Sequence, residues 1–100
     1  MRRKNRKTDK AYMEFIHAQP CSVQKCSSHG LFSIVEAHHA GERGLMQKAD
    51  DRTAVPLCAN HHRLRLDAMH VLGRRFWEFH RIDKERLIAD LQERYDAGLE

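Results

Sequence analysis

Two His-His pairs, each directly behind a short apolar run, set the terms on which this chain can fold. Val35-Glu36-Ala37-His38-His39 carries the first pair, and Ala54-Val55-Pro56-Leu57-Cys58-Ala59-Asn60-His61-His62 carries the second. Four of the eight histidines and one of the three cysteines lie between Val35 and His62. The polar loop between the pairs holds Gly41, Gly44, Lys48 and Asp50-Asp51. A solvated loop has little reason to gather so many metal-capable nitrogens behind two strand-like runs. The stretch reads as a β-hairpin whose second strand feeds a helix, with metal held at both ends of that unit.

The first strand is expected over Leu31 to His38, rich in β-branched and aromatic side chains. Successive strand residues point to opposite faces, so His38 and His39 should diverge: one can ligate a metal while its neighbour faces a substrate. Ala40 to Thr53 is too long for a tight hairpin turn, and loops of that length are commonly functional. Ala54 to Cys58 pairs back as the second strand, with Pro56 implying an edge or strand-end position. From Asn60 the pattern turns helical, with Leu64, Ala68 and Leu72 on one apolar face and Gly73 near the end.

The cysteines bear on the other end of the unit. With 100 residues and 41% apolar content the chain can build one thin core, the size at which metal commonly supplements burial. The odd cysteine count, with no signal-peptide or membrane-spanning run, points to a soluble, cytosolic chain with reduced thiols. Cys21 and Cys26 sit in a turn-like setting, and Cys58-Ala-Asn-His61 offers a second pair two residues apart. Together Cys21, Cys26, Cys58 and His61 form a Cys3His set suited to tetrahedral structural Zn2+.

Flanking segments complete a single domain over residues 9–100, with its centre at about 20–80, behind a basic arm at 1–8. Arg2, Arg3, Lys4, Arg6 and Lys7 give that arm two readings, a solvated tail or a phosphate-contacting strap. Thr8 is placed to cap a helix over Asp9 to Gln19, whose Tyr12, Phe15 and Ile16 share a core face before Pro20 stops it. Phe76, Trp77 and Phe79 read as core aromatics. A last helix starts at Asp83 as N-cap, with Ile82 and Leu87 as a hydrophobic staple and Leu87, Ile88, Leu91 and Tyr95 as its buried stripe. His17, His29 and His80 have no evident partners and read as structural or surface residues. The fold class is α+β. A balance of 18 basic against 14 acidic residues, net +4, leans toward a polyanionic partner.

Ala37-His38-His39, a glycine-containing loop with Lys48 and Asp51, then Ala54-Val-Pro-Leu-Cys58 and His61-His62 resemble the HNH endonucleases, closest to a small phage-associated subgroup. The resemblance implies a ββα-metal (His-Me finger) fold: a hairpin and a helix around one divalent cation, Mg2+, Mn2+, Ni2+ or Zn2+. It implies His38 and His62 as ligands of that cation and His39 as general base. The Cys21, Cys26, Cys58 and His61 set matches the zinc knuckle many of these enzymes carry. Two positions depart from the family pattern. Thr53 stands where many members open the second strand with asparagine, which passes the bracing of the loop to Asp51 or to backbone groups. Leu66 stands where many place a third ligand one helical turn after His62, leaving Asp67 and His70 as the nearby candidates. On a regular helix His70 lies roughly 12 Å along the axis from His62, too far to share an ion unless the helix bends.

The chemistry is coherent in its own right. A neutral imidazole is a competent base near neutral pH, and a divalent cation acts as Lewis acid toward a phosphate. Lys48 and Arg63 are placed to contact flanking phosphates. The expected function is therefore a metal-dependent nuclease that nicks or cuts double-stranded DNA. A zinc-stabilised nucleic-acid-binding module that has lost cleavage is the alternative, and the Leu66 departure is its support. A purely structural zinc domain that binds protein leaves His39 and the basic arm unexplained.

Overall fold

In the computed structural model, residues 8–23, 26, 34–41 and 50–98 are described. The basic arm with Arg2, Arg3, Lys4, Arg6 and Lys7, the segment Leu31 to Ser33, His29 and Lys48 lie outside the described residues. The chain is a small α+β unit built on one antiparallel pair, β1 (Val35–His39) and β2 (Ala54–Cys58). The register sets Val35 opposite Cys58 and His39 opposite Ala54, so both His-His pairs finish near this one sheet. β2 is buried along its whole length, and it is the apolar floor of the domain. Pro56 has no N–H to give, which suits an outer strand. Its carbonyl accepts from both the backbone N–H and the hydroxyl of Ser22, at 2.9 and 2.8 Å.

α1 (Lys10–His17) packs on the sheet through Tyr12 and Ile16, both fully buried, with Phe15 half-buried beside Tyr95. Its cap is Asp9, not Thr8: the Asp9 carboxylate accepts from the Tyr12 N–H at 3.1 Å. Asp9 is also the better choice physically, because a carboxylate at this position complements the helix dipole as well as satisfying an N–H. α1 stops two residues before the expected Gln19. Gln19 instead folds back, donating to the Phe15 carbonyl and accepting from Arg94.

The expected helix after Asn60 is broken. One π-helical turn covers Asn60–Leu64, Arg65 is extended (φ −90, ψ 165), and a short α2 (Met69–Leu72) restarts at Ala68. The break is held by bonds a continuous helix could not make. Arg65 pairs with Asp67 at 2.9 Å, and His80 Nε2 lies 2.9 Å from the Asp67 carbonyl oxygen. As a result the anticipated Leu64–Ala68–Leu72 face does not exist: Ala68 is fully buried, while Leu64 and Leu66 point to solvent. Gly73 ends α2 with φ at +60 and ψ at −136, a conformation that favours glycine.

α3 (Arg75–Phe79) buries Phe76 and half-buries Trp77, but Phe79 is exposed, against the expectation of three core aromatics. Residues 76 and 80 lie one turn apart on the inner face, so His80 takes the place expected of Phe79. α4 (Lys84–Asp96) follows its sequence pattern. Asp83 caps it by accepting from the Arg86 N–H, Ile88 and Leu91 are buried, and Ile82, Leu87 and Tyr95 pack against the core. Among the described residues no helix is long and apolar enough to cross a membrane.

Candidate metal centres

The end of β2, the π-helical turn and the turn after α1 converge on four side chains. Cys21, Cys26, Cys58 and His61 bring their ligand atoms within 4.8 Å of one another. The Cys26 and Cys58 sulfurs are 3.8 Å apart, and His61 Nδ1 lies 3.3, 3.5 and 3.8 Å from the sulfurs of Cys58, Cys26 and Cys21. A tetrahedral zinc with bonds of about 2.3 Å to sulfur and about 2.0 Å to nitrogen separates its ligands by about 3.8 Å (S to S) and about 3.5 Å (S to N). The spacing therefore suits such an ion. Burial pushes the Cys21 thiol up to about 12, against opposing hydrogen bonds from the backbone of Cys58 and Val23. Burial also holds His61 below the usual imidazole range, which keeps it a neutral donor. Thiols that resist ionising in the bare protein are ones whose thiolates a cation would stabilise. His80, expected to be without partners, packs its ring against Phe76 and His61, with centroids 4.5 and 5.5 Å away, and its Nε2 meets the Asp67 carbonyl.

The second group depends on the helix break. Reversing at Arg65 folds the chain so that the His70 ring sits 4.6 Å from that of His62, and both face His38, at 6.4 and 5.3 Å. Ligand nitrogens of His38, His62 and His70 again lie within 4.8 Å of one another, so these three side chains can hold one divalent ion. Asp67, the other candidate third ligand, turns away to Arg65 and His80. Burial above all, then the nearby His62, His70, His39 and Lys84, pushes His38 down to about 4, so its lone pair is free for a metal at neutral pH.

Glu36, to which the sequence reading gave no role, braces this group. It lies two residues before His38 on β1, on the same strand face, and its carboxylate accepts from His62 Nδ1 at 2.7 Å. That leaves the other ring nitrogen of His62 available to a metal, the arrangement by which carboxylates commonly orient metal-binding imidazoles. Arg63 closes the outer side of Glu36 through both carboxylate oxygens, at 3.0 to 3.2 Å, while staying exposed. Guanidinium and imidazole together hold the Glu36 carboxyl below its usual range. Strand alternation from His38 was the signal that could have found it.

His39 faces the other way. Its Nε2 lies 2.7 Å from Asp51 Oδ1, and Asp51 is 7% exposed. The second oxygen of that carboxylate, Oδ2, accepts from the backbone N–H of Asp9 at 2.8 Å, tying the start of α1 to the site. Thr53 braces the loop end: its carbonyl accepts from the Ala40 N–H, and its hydroxyl donates to the Asp50 carbonyl. Gly41 is needed there, because a Cβ at that position would meet the Thr53 side chain at 2.6 Å. His17 Nδ1, on the far side, contacts the Val35 carbonyl at 3.0 Å.

Compared with family models, curated proteins and solved structures, the chain matches none significantly.

Proposed function

We propose that this chain is a divalent-metal-dependent endonuclease of the HNH kind, with a ββα-metal core, that hydrolyses phosphodiester bonds in double-stranded DNA. The observation that carries the reading is the divergence of two adjacent histidines on β1. His38 joins His62 and His70, and His39 turns to a buried carboxylate. Phosphodiester hydrolysis needs both halves of that division, a cation site and a separate base.

His38, His62 and His70 would leave coordination positions open on a divalent cation, which would supply Lewis acidity toward a phosphate and its leaving oxygen. His39 takes the proton of the attacking water on Nδ1, since Nε2 is committed to Asp51. The water oxygen bonds to phosphorus as the bond to the leaving oxygen breaks. Cys21, Cys26, Cys58 and His61 would hold a structural zinc that ties the β2 end to the turn carrying His62. Arg2, Arg3, Lys4, Arg6, Lys7 and Lys48 would supply positive charge for flanking phosphates, while Arg63 is paired with Glu36.

The alternative, a zinc-stabilised nucleic-acid-binding module without cleavage, drew its support from Leu66 standing in the third-ligand position. His70 beside His38 and His62 weighs on the side of cleavage, because it offers a third ligand where Leu66 offers none. The test is nicking of supercoiled plasmid across titrations of Mg2+, Mn2+, Ni2+ and Zn2+, with a chelator control. His38→Ala and His62→Ala should lose nicking and recover part of it at raised metal. His39→Ala should lose it without rescue while keeping zinc and DNA binding. A wild type that binds DNA and never nicks it under any of these metals establishes the binding module instead.

A further inference from the structure

We infer that Asp51 is a positioning residue that sets which nitrogen of His39 carries the proton, and that the backbone amide of Asp9 sets which oxygen of Asp51 does so. The inference rests on the nuclease reading for its catalytic consequence, but its geometry is independent of it. The two carboxylate oxygens of Asp51 have different, fixed partners. Oδ1 faces His39 Nε2 at 2.7 Å, and Oδ2 accepts the Asp9 N–H at 2.8 Å. A carboxylate only accepts, so it demands the proton on Nε2 and leaves Nδ1 bare to receive one from water. An amide N–H only donates, so the atom facing Asp9 has to be an oxygen. Asp51 itself is buried, at 7% exposed, which strengthens both bonds.

This arrangement predicts an unusual order of severity among variants. In Asp51→Asn the amide oxygen is drawn to the Asp9 N–H, which directs the NH2 group at His39. Nε2 then has to accept, the proton moves to Nδ1, and the nitrogen meant for water is blocked. In Asp51→Ala no partner imposes that tautomer, and the ring keeps a share of the productive form. The isosteric variant should therefore be the more damaging one. A merely structural role predicts the reverse order, because Asn fills the space that Ala empties.

The experiment compares wild type, Asp51→Asn and Asp51→Ala, each first checked for zinc content and far-UV circular dichroism. The 15N shifts of the His39 ring, from histidine-labelled protein without DNA, read the tautomer directly. Wild type should show a protonated Nε2, and Asp51→Asn a protonated Nδ1. Plasmid nicking at saturating metal and DNA should fall on the order of 10³-fold or more in Asp51→Asn. Asp51→Ala should fall on the order of 10–10²-fold, with KM for DNA unchanged in both. A wild-type His39 protonated on Nδ1, or an Asp51→Asn variant that keeps the wild-type tautomer, overturns the inference whatever the nicking assay shows. Should the tautomer flip as described in a protein that never nicks DNA, the positioning stands and the nuclease reading fails. If wild type nicks and Asp51→Asn nicks at least as fast as Asp51→Ala, the reading survives and the inference does not.

Discussion

Replacing Cys26 by serine removes one of three thiolates from the Cys3His cluster, and its cost can be worked from chain topology. A metal held there joins the turn after α1 to the end of β2, closing a loop between positions 32 residues apart. Treated as a cross-link, closure of a loop that long withholds about 4 kcal/mol of entropy from the unfolded chain. A domain of this size shifts its melting temperature by roughly 4–8 °C for each kcal/mol, so Cys26→Ser should melt roughly 15–30 °C lower. That is a large share of a typical stability of about 5–15 kcal/mol, because the core beneath β2 is thin. The assay pairs thermal unfolding by circular dichroism with zinc content by elemental analysis on the same samples. Wild type should hold one zinc per chain in this cluster. Well-folded wild type without metal, or Cys26→Ser melting within a few degrees of wild type, would refute the cross-link argument.

Two further outcomes follow from single positions. Arg81 adopts φ +57 in the turn that ends α3, where its N–H bonds the Glu78 carbonyl and that of Ile82 bonds Trp77, so Arg81→Gly should stabilise by about 1 kcal/mol in denaturant unfolding. A destabilised variant would show that the arginine side chain makes an interaction outweighing the backbone preference. His38 is pushed from 6.5 down to about 4 by burial, so below pH 6.5 the unfolded chain binds a proton that the folded one refuses. Its contribution is absent above that pH, and stability falls as pH drops from 6.5 to 4, by no more than about 3 kcal/mol and less for a ring in contact with solvent. His38→Gln should flatten that part of the stability–pH curve in zinc-loaded protein free of other divalent ions; an unchanged slope would count against the assignment.

The strands, the last helix with its Asp83 cap, and the Cys3His set were legible because each rests on local pattern or ligand spacing. β2 shows an apolar run, α4 a 3.6-residue stripe, and the four ligands a pair of short intervals. His38 and His39 pointing apart also followed from strand alternation alone. What could not be read depends on contacts distant in sequence. The chain reverses at Arg65 because His80, thirteen residues beyond Asp67, engages its carbonyl. A periodicity argument extends the helix straight through, and so it misplaced Leu64 and left the third ligand open between Asp67 and His70. Thr8 lost the cap to Asp9, which also joins Asp51 across 42 residues. Phe79 was misread as core because His80, a polar residue, fills the inward position.

His61 and His62 are consecutive residues that serve different clusters, one with three cysteines and the other with His38 and His70. A single peptide bond therefore joins the two centres, so a backbone shift at either one is passed directly to the other. Linkage then requires reciprocity: whatever free energy zinc at the first centre adds to ion affinity at the second, an ion at the second must return to zinc. If both clusters hold metal and the coupling is appreciable, stripping with a weak chelator should release the two ions interdependently.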